Sequence, residues 1–455
     1  MDHNSIASQS QAHIHVQNKI DDFFTRFKIA TLMHRCGVRK HHGHSVRSLT
    51  KAIFTLPFIG KNFFRGIVIN NELSFGKDAA YELLKGETYN WRRLLLSLGR
   101  RLFEVFNRLT SDERESVLII DDSPYDRSRS KWVELLSSVW DHSTGRFLKG
   151  FRMLTICWSD GTSCLPMDFA LLSSSDAKKR LCASKKSVDK RCCAYQRRKE
   201  ATEKATVHLE AMVKRILSTG VTAQYLLMDS WFTMPGTVVT LARHLKVIGM
   251  VKKSSRIHYT FNGQSLDLKA IYRRLGKRRG RAKIPASTNV MLKDELAAKI
   301  VFVRDKRKTD WLALLSTDTN LADEDIVRIY GKRWDIEVFF KMAKQHLKLA
   351  KEIQCRDFDA LIAHTSIVFM RYMFLAYQCR METDHRTFGD LFYACCDEVA
   401  DISFMEALYR ILAIAVDKMR HLGTFCEKTA AAFFDSIMDT ALQCVGLSKN
   451  KLAIV

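Results

Sequence analysis

Four polar residues stand out by type and spacing in the segment DIVRIYGKRWDIEVFFKMAKQHLK: Tyr330, Arg333, Glu337 and Lys344. On a helix turning about 100° per residue they fall at about 0°, 300°, 340° and 320°, one narrow face. Apolar residues flank that face: Val327, Trp334, Val338 and Met342 on one side, Ile336, Phe340 and Leu347 on the other. Ion pairs on a solvated helix face are the plain reading of such charges. The apolar flanks argue against it, because a carboxylate kept among cations beside buried surface is costly unless something uses it.

Two further carboxylates join the argument. Asp121 follows the apolar run Ser116–Ile120, and Asp229 follows Tyr225–Met228. The sequence therefore predicts both at the C-terminal ends of buried strands, the edge at which open α/β sheets bind ligands. Carboxylates from two neighbouring strands and one helix make a donor set for hard divalent cations such as Mg²⁺. Two such ions can activate an attacking oxygen and stabilise a leaving one in phosphoryl transfer.

The elements that must position these groups follow from periodicity. From about residue 17 to 110, apolar spacings of three and four predict helices, among them Ile20–Leu32, Leu73–Leu84 and Trp91–Leu109. Strands are predicted at Ser116–Ile120, Arg146–Ser159, Ser163–Ser173, Tyr225–Met228 and Val247–Val251, with a helix ending at Leu217 and another over Thr237–Leu245. This is a mixed α/β unit whose later strands pair in parallel. Lys252–Lys308 is basic and irregular, and with Lys299–Arg304 and Trp311–Leu315 it reads as a β-rich insertion. A helix begins near Ala322, acidic at its start as the helix dipole favours. Beyond about 350 the pattern reads as helical throughout. The resulting division is 1–112 helical, 113–254 and 311–358 catalytic core, 255–310 insertion and 359–455 helical.

Composition bounds the partners. Lys plus Arg number 73 against 49 Asp plus Glu, a formal charge of +24 over 455 residues. Such a surplus points to nucleic acid or an anionic surface. The most apolar window, Ser366–Cys379, contains Arg371 and falls short of the about 20 residues that span a bilayer, so no membrane is expected. The 12 cysteines lack any CxxC spacing and read as reduced cytoplasmic thiols. Lys178–Lys199 and Arg273–Lys283 suit sequence-independent phosphate contact. Trp231 and Trp311 read as core residues rather than base-stacking platforms. His34, Cys36, His41, His42 and His44 fit no usual zinc spacing and read as basic loop chemistry near DNA.

The spacing Tyr-x2-Arg-x3-Glu-x6-Lys, met without a gap by Tyr330, Arg333, Glu337 and Lys344, resembles the signature of DDE transposases in the cut-and-paste group related to insertion sequence 4. The resemblance covers roughly residues 115–350, with looser similarity over Gly76–Leu95. It implies an RNase H-like α/β core with a β-rich insertion, flanked by helical N- and C-terminal regions. Asp121, Asp229 and Glu337 would be the catalytic, metal-binding residues. Tyr330, Arg333 and Lys344 would bind DNA phosphates near the cleaved end. The family's apolar-Asp-x-Ser/Thr context favours Asp121 as the first aspartate, and Asp122, on the opposite strand face, stays open.

The implied cofactor is Mg²⁺, two ions, with Mn²⁺ as a substitute. The implied partners are double-stranded DNA, as terminal inverted repeats and target, and a second copy of the chain in the synaptic complex. The place of action would be the nucleoid in the cytoplasm. Helices beyond about 360, such as Phe404–Val416, would serve assembly or fill intramolecular core. A junction-resolving nuclease and a non-catalytic DNA-binding descendant are the rival readings.

Overall fold

The apolar runs become strands of one large sheet in the computed structural model. It describes residues 14–381 apart from 17–18, 41, 71–72, 111–112, 142–143, 186–187, 279–281 and 305–309, and beyond them 392–393, 396, 408, 411–412, 414–416, 427–444 and 452–454. Most of Phe404–Val416 thus lies outside the described residues, as does His41.

The strands are β1 (Val117–Asp126), β2 (Ser137–Asp141), β3 (Arg146–Ser159), β4 (Cys164–Leu172), β5 (Tyr225–Met228), β6 (Lys246–Val251), β7 (Tyr259–Phe261), β8 (Gln264–Leu266), β9 (Ala286–Met291), β10 (Ala297–Arg304) and β11 (Trp311–Ser316). Their order across the sheet is β4-β3-β1-β5-β6-β11-β10-β9-β7-β8, with β2 pairing the first residues of β3. The β1–β5 and β5–β6 pairs are parallel and all other pairs are antiparallel. An antiparallel trio continued by two parallel strands, β4-β3-β1-β5-β6, is the RNase H-like arrangement. The helix Pro235–Ala242 makes the crossover from β5 to β6, as parallel pairing requires.

The segment read as an insertion does not stand apart. β11 pairs with core strand β6 on one side and with β10 on the other, so β7–β10 prolong the core sheet. Strand β2 carries no sequence signal, because Ser-Ser-Val-Trp-Asp offers only two apolar residues and its Trp140 faces outward.

Helices cover the sheet: α1 (Lys19–Arg26), α2 (Ile29–Arg35), α3 (Val46–Thr55), α4 (Lys77–Leu84), α5 (Trp91–Arg108), α6 (Cys193–Ala201), α7 (Ala205–Leu217), α8 (Pro235–Ala242), α9 (Leu268–Arg274), α10 (Asp323–Gly331), α11 (Trp334–Gln345), α12 (Phe358–Met381) and α13 (Glu427–Cys444). The single helix expected over Ile20–Leu32 is two, divided where Lys28 adopts a left-handed backbone at φ 45. The helical reading beyond 350 also needs correction, since Leu452–Ile454 pairs as a short antiparallel strand with Ile14–Val16.

Both α5 and α12 pack on β4, whose nine residues are all buried. Among the described residues α12 is the one helix long and apolar enough to cross a membrane, and its apolar window lies wholly inside the protein. Arg371 sits in its middle with no exposed surface. The guanidinium donates to the carbonyls of Ile53 and Phe54 at the end of α3 and of Leu347 just after α11, and pairs with Glu352 at 2.9 Å. His364 completes the cluster against the same carboxylate. Against the upward push of burial, Arg371 and His364 hold Glu352 below the usual carboxylate range. A buried charge is tolerable only when paired and hydrogen-bonded in this way.

A candidate metal and phosphate site

The site forms where parallel pairing stops. The β1–β5 register ends at Ile120 opposite Met228, so Asp121 and Asp229 are the next residues of adjacent chains. Asp229 follows its strand directly, as expected. Asp121 does not end its strand, because the long partner β3 carries β1 on to Asp126. What ends at Asp121 is the short parallel neighbour. That opens the sheet edge without ending β1.

Alternation along β1 sorts its polar residues. Asp121 and Ser123 face α11: Arg333 Nη1 donates to Asp121 Oδ2 at 2.7 Å and Lys344 Nζ donates to Ser123 Oγ. Asp122 points to the other face and pairs with Arg152 of β3 at 2.8 Å. Of the two adjacent aspartates, Asp121 is the one brought to Asp229 and Arg333.

Local bonds set the orientation of Asp229. Its Oδ1 accepts from the backbone N–H groups of Trp231 at 3.0 Å and Phe232 at 3.2 Å. Its carbonyl accepts the Thr233 hydroxyl at 2.6 Å. Gly249 of β6 makes room for that threonine, since a Cβ there would lie 2.3 Å from Thr233 Oγ1.

The face of four residues is carried by two helices rather than one. α10 ends at Gly331 and α11 begins at Trp334. Between them Lys332 N bonds Ile329 O and Arg333 N bonds Tyr330 O, both at 3.0 Å. These are i to i−3 bonds, the tighter 3₁₀ pitch. The turn is anchored from β1's approach: Glu115 accepts from Arg328 and Lys332, and the Arg328 guanidinium draws the Glu115 carboxyl down to about 2. From this turn Arg333 reaches both Asp121 and Glu337, bridging them through its two terminal nitrogens. Tyr330 lies under the Arg333 guanidinium, 6.0 Å from ring centre to Cζ. Burial pushes its hydroxyl up to about 12, against the pull of Arg333. Burial lowers Lys344.

Asp121 is raised to about 7, chiefly by burial and further by the charge of Asp229, against the attraction of Arg333. Asp121 is therefore undercompensated, which is the chemistry of a cation-binding edge. Among the described residues, no three His, Cys, Asp or Glu side chains are gathered closely enough to hold a metal as they stand. At this site the Arg333 guanidinium lies between Asp121 and Glu337. The donor set fits a divalent cation in type and charge, with the arginine supplying positive charge at that place.

The raised group has a consequence for stability. An Asp free in an unfolded chain titrates near 3.9. The folded-state penalty of ionising Asp121 is therefore absent below that value, grows as pH rises, and is complete above about 7. Asp121→Asn is expected to melt higher than the native protein at pH 8 in EDTA, with the gap narrowing towards pH 4. Melting temperatures across that range check it, and a lower Tm at pH 8 would contradict the assignment of strain to this carboxyl.

Several neighbours escaped the sequence reading. Trp231 is not a core residue: it is 43% exposed, with Arg152 and Lys252 at 5.4 and 5.7 Å from its ring. It helps to line a groove of about 510 Å³ with Trp140 and Phe147 of the β2–β3 hairpin. The loop after β5 carries Trp231 outward because Asp229 holds its N–H. Trp311 is part-buried against Tyr272 and Phe302. Arg152 carried no sequence signal, since cross-strand register is not written in either strand alone. Ser123 did carry one, standing two residues after Asp121.

The basic tract Lys178–Lys199 divides. Lys178 and Lys179 are exposed, whereas Arg197 and Arg198 are buried in ion pairs with Asp359, and Arg198 also with Glu134. Of the His/Cys cluster, Cys36 is buried and its thiol pushed by burial to about 11, while His34 and His42 are exposed.

Among curated proteins none matches the chain. Residues 68–310 match the family described as DDE superfamily endonuclease. That span is over half of the 455 residues; it contains Asp121 and Asp229 and stops short of α11 with Glu337. With an RNase H-like sheet that brings those two aspartates together, the chain belongs to the DDE superfamily endonucleases.

Proposed function

We propose that the protein is the transposase of a bacterial insertion sequence, cutting DNA at the ends of its element and joining them to a target. The observation that carries this reading is the Arg333 fork spanning Asp121 and Glu337 beside Asp229. A junction nuclease needs three carboxylates but no Tyr-Arg-Glu-Lys arrangement in front of them. Asp121, Asp229 and Glu337 would hold Mg²⁺, two ions, with Mn²⁺ as a substitute. The ions supply charge neutralisation at the scissile phosphate and an activated oxygen nucleophile.

The chain's own groups divide the remaining work. Arg333 offers a planar fork to a phosphate and Lys344 a point charge. Tyr330 backs the arginine and limits where it can swing. The helical region 1–112 would bind the element ends, and the helices beyond 359 would bring a second copy alongside so that both ends are cut together.

Trp231 is exposed two residues from Asp229 and flanked by cations, which suits stacking on an unpaired base next to the cut. Trp231→Ala is expected to cost about 1–3 kcal/mol of affinity for single-stranded DNA and to leave duplex affinity nearly unchanged. Fluorescence anisotropy with both substrates tests this, and equal losses on both would refute the stacking role.

The function itself is tested with labelled DNA flanking the coding sequence, incubated with the protein in Mg²⁺ or in EDTA. Metal-dependent cuts at paired inverted repeats are the expected result. Cuts at branched structures whatever their sequence would favour the junction nuclease. Tight binding to the repeats with no cut under any metal would favour a non-catalytic descendant.

A further inference from the structure

We propose that Arg333 gates the metal site: it latches Asp121 to Glu337, and a DNA phosphate must draw it aside before one divalent cation can use both carboxylates. This rests on the reading of Asp121, Asp229 and Glu337 as the metal-binding set, and it assigns to that set a coupling between substrate and cofactor.

The geometry is that of a closed latch. Arg333 donates from Nη1 to Asp121 Oδ2 at 2.7 Å and from Nη2 to Glu337 Oε1. The arginine is 17% exposed and Asp121 15%, so the bond between them is sheltered from competing water. The glutamate, 34% exposed, is the outer end of the latch. Arg333 springs from the tight turn between α10 (Asp323–Gly331) and α11 (Trp334–Gln345), and Glu337 stands one turn further along α11. The latch can therefore open by a side-chain rotation at Arg333 with no movement of either helix. A cation that took Asp121 and Glu337 with the guanidinium still in place would meet a like charge at contact distance, a strongly unfavourable arrangement in a sheltered site.

A phosphate can release it. The guanidinium fork matches two phosphate oxygens as well as it matches carboxylates, and a phosphodiester entering over Asp121 brings its charge to the same side. Each phosphate bond that Arg333 makes frees a carboxylate oxygen. The two binding events are then linked: DNA raises metal affinity, and metal raises DNA affinity by the same factor. The protein alone would hold its metal weakly, keeping a nonspecific nuclease centre idle until substrate is seated.

The test uses the full chain and Mn²⁺, whose free concentration is read by electron paramagnetic resonance, with the metal-induced rise in Tm as a second readout. Without DNA, Arg333→Gln is expected to bind Mn²⁺ about tenfold more tightly than the native protein, within the usual range of coupling between sites. Arg333→Lys, which keeps the charge but loses the fork, should fall between. A short duplex that cannot be cleaved should tighten Mn²⁺ binding by the native protein far more than by Arg333→Gln. Asp229→Ala placed in the Arg333→Gln background should remove the binding.

If Arg333→Gln and Arg333→Lys, melting as cooperatively as the native protein, bound Mn²⁺ no more tightly while Asp229→Ala still abolished binding, the gate would be wrong and the metal site right. If Asp229→Ala left Mn²⁺ binding intact, the site reading would fail and the gate with it.

Discussion

Asp229→Ala is expected to lower Mg²⁺-dependent DNA cleavage by at least about a thousandfold, some 4 kcal/mol of transition-state stabilisation. The carboxyl is held by two backbone N–H bonds on the loop that leaves β5, and it faces the already strained Asp121. On the proposed reading its loss removes a metal ligand from the sheet side. DNA affinity in EDTA should stay level or rise slightly, because a negative charge has been taken from a phosphate-binding surface. Cleavage rates beside anisotropy titrations separate the two effects. Activity within tenfold of the native protein would sink the assignment. Glu337→Ala should lose cleavage similarly, with DNA binding largely kept. Arg333→Ala should impair both.

The second large effect lies away from the chemistry. Arg371→Met is expected to destabilise the fold by about 3–5 kcal/mol, the usual result of removing one member of a buried ion pair. Three carbonyls, those of Ile53, Phe54 and Leu347, would lose their donor, and Glu352 would be left buried with His364 alone. The loss should be smaller when Glu352→Gln is added, because an uncharged partner no longer needs the guanidinium. Urea unfolding of both single variants and the double variant measures this. If the double variant lost the sum of the two single losses, the residues would be acting independently and the cluster would not be a unit.

Sequence pattern reached the strands and the chemistry unequally. Tyr225–Met228 and Arg146–Ser159 were legible to the residue because their apolar runs are bounded by turn-forming residues or Asp. The length of β1 was not, since Asp121, Asp122 and Ser123 look like the end of a strand and only the pairing with β3 keeps them in one. The phase argument for Tyr330, Arg333, Glu337 and Lys344 assumed one continuous helix. Gly331 was the available warning, and the 3₁₀ turn after it shifts the phase by part of a residue. Asp121, Arg333 and Glu337 still meet, and Lys344 reaches Ser123, because long side chains absorb that shift. What no one-dimensional pattern could give was Arg333 seated between two of the carboxylates, or Trp231 outside the core. Both depend on which atoms reach across the sheet edge.

The burial of α12 also bears on when the sheet gains its full cover. Asp121, Asp229 and Glu337 all leave the ribosome before Phe358–Met381 does, and the surfaces of β4 and α5 that this helix covers stay open until it arrives. At ordinary rates of elongation, the interval between Asp121 and the last turn of α12 is on the order of tens of seconds. Throughout it β4 lacks one of its covering helices. A chain arrested in that interval would present the uncovered apolar surface to chaperones and proteases. Synthesis order thus leaves this core to be closed only once nearly all of it exists.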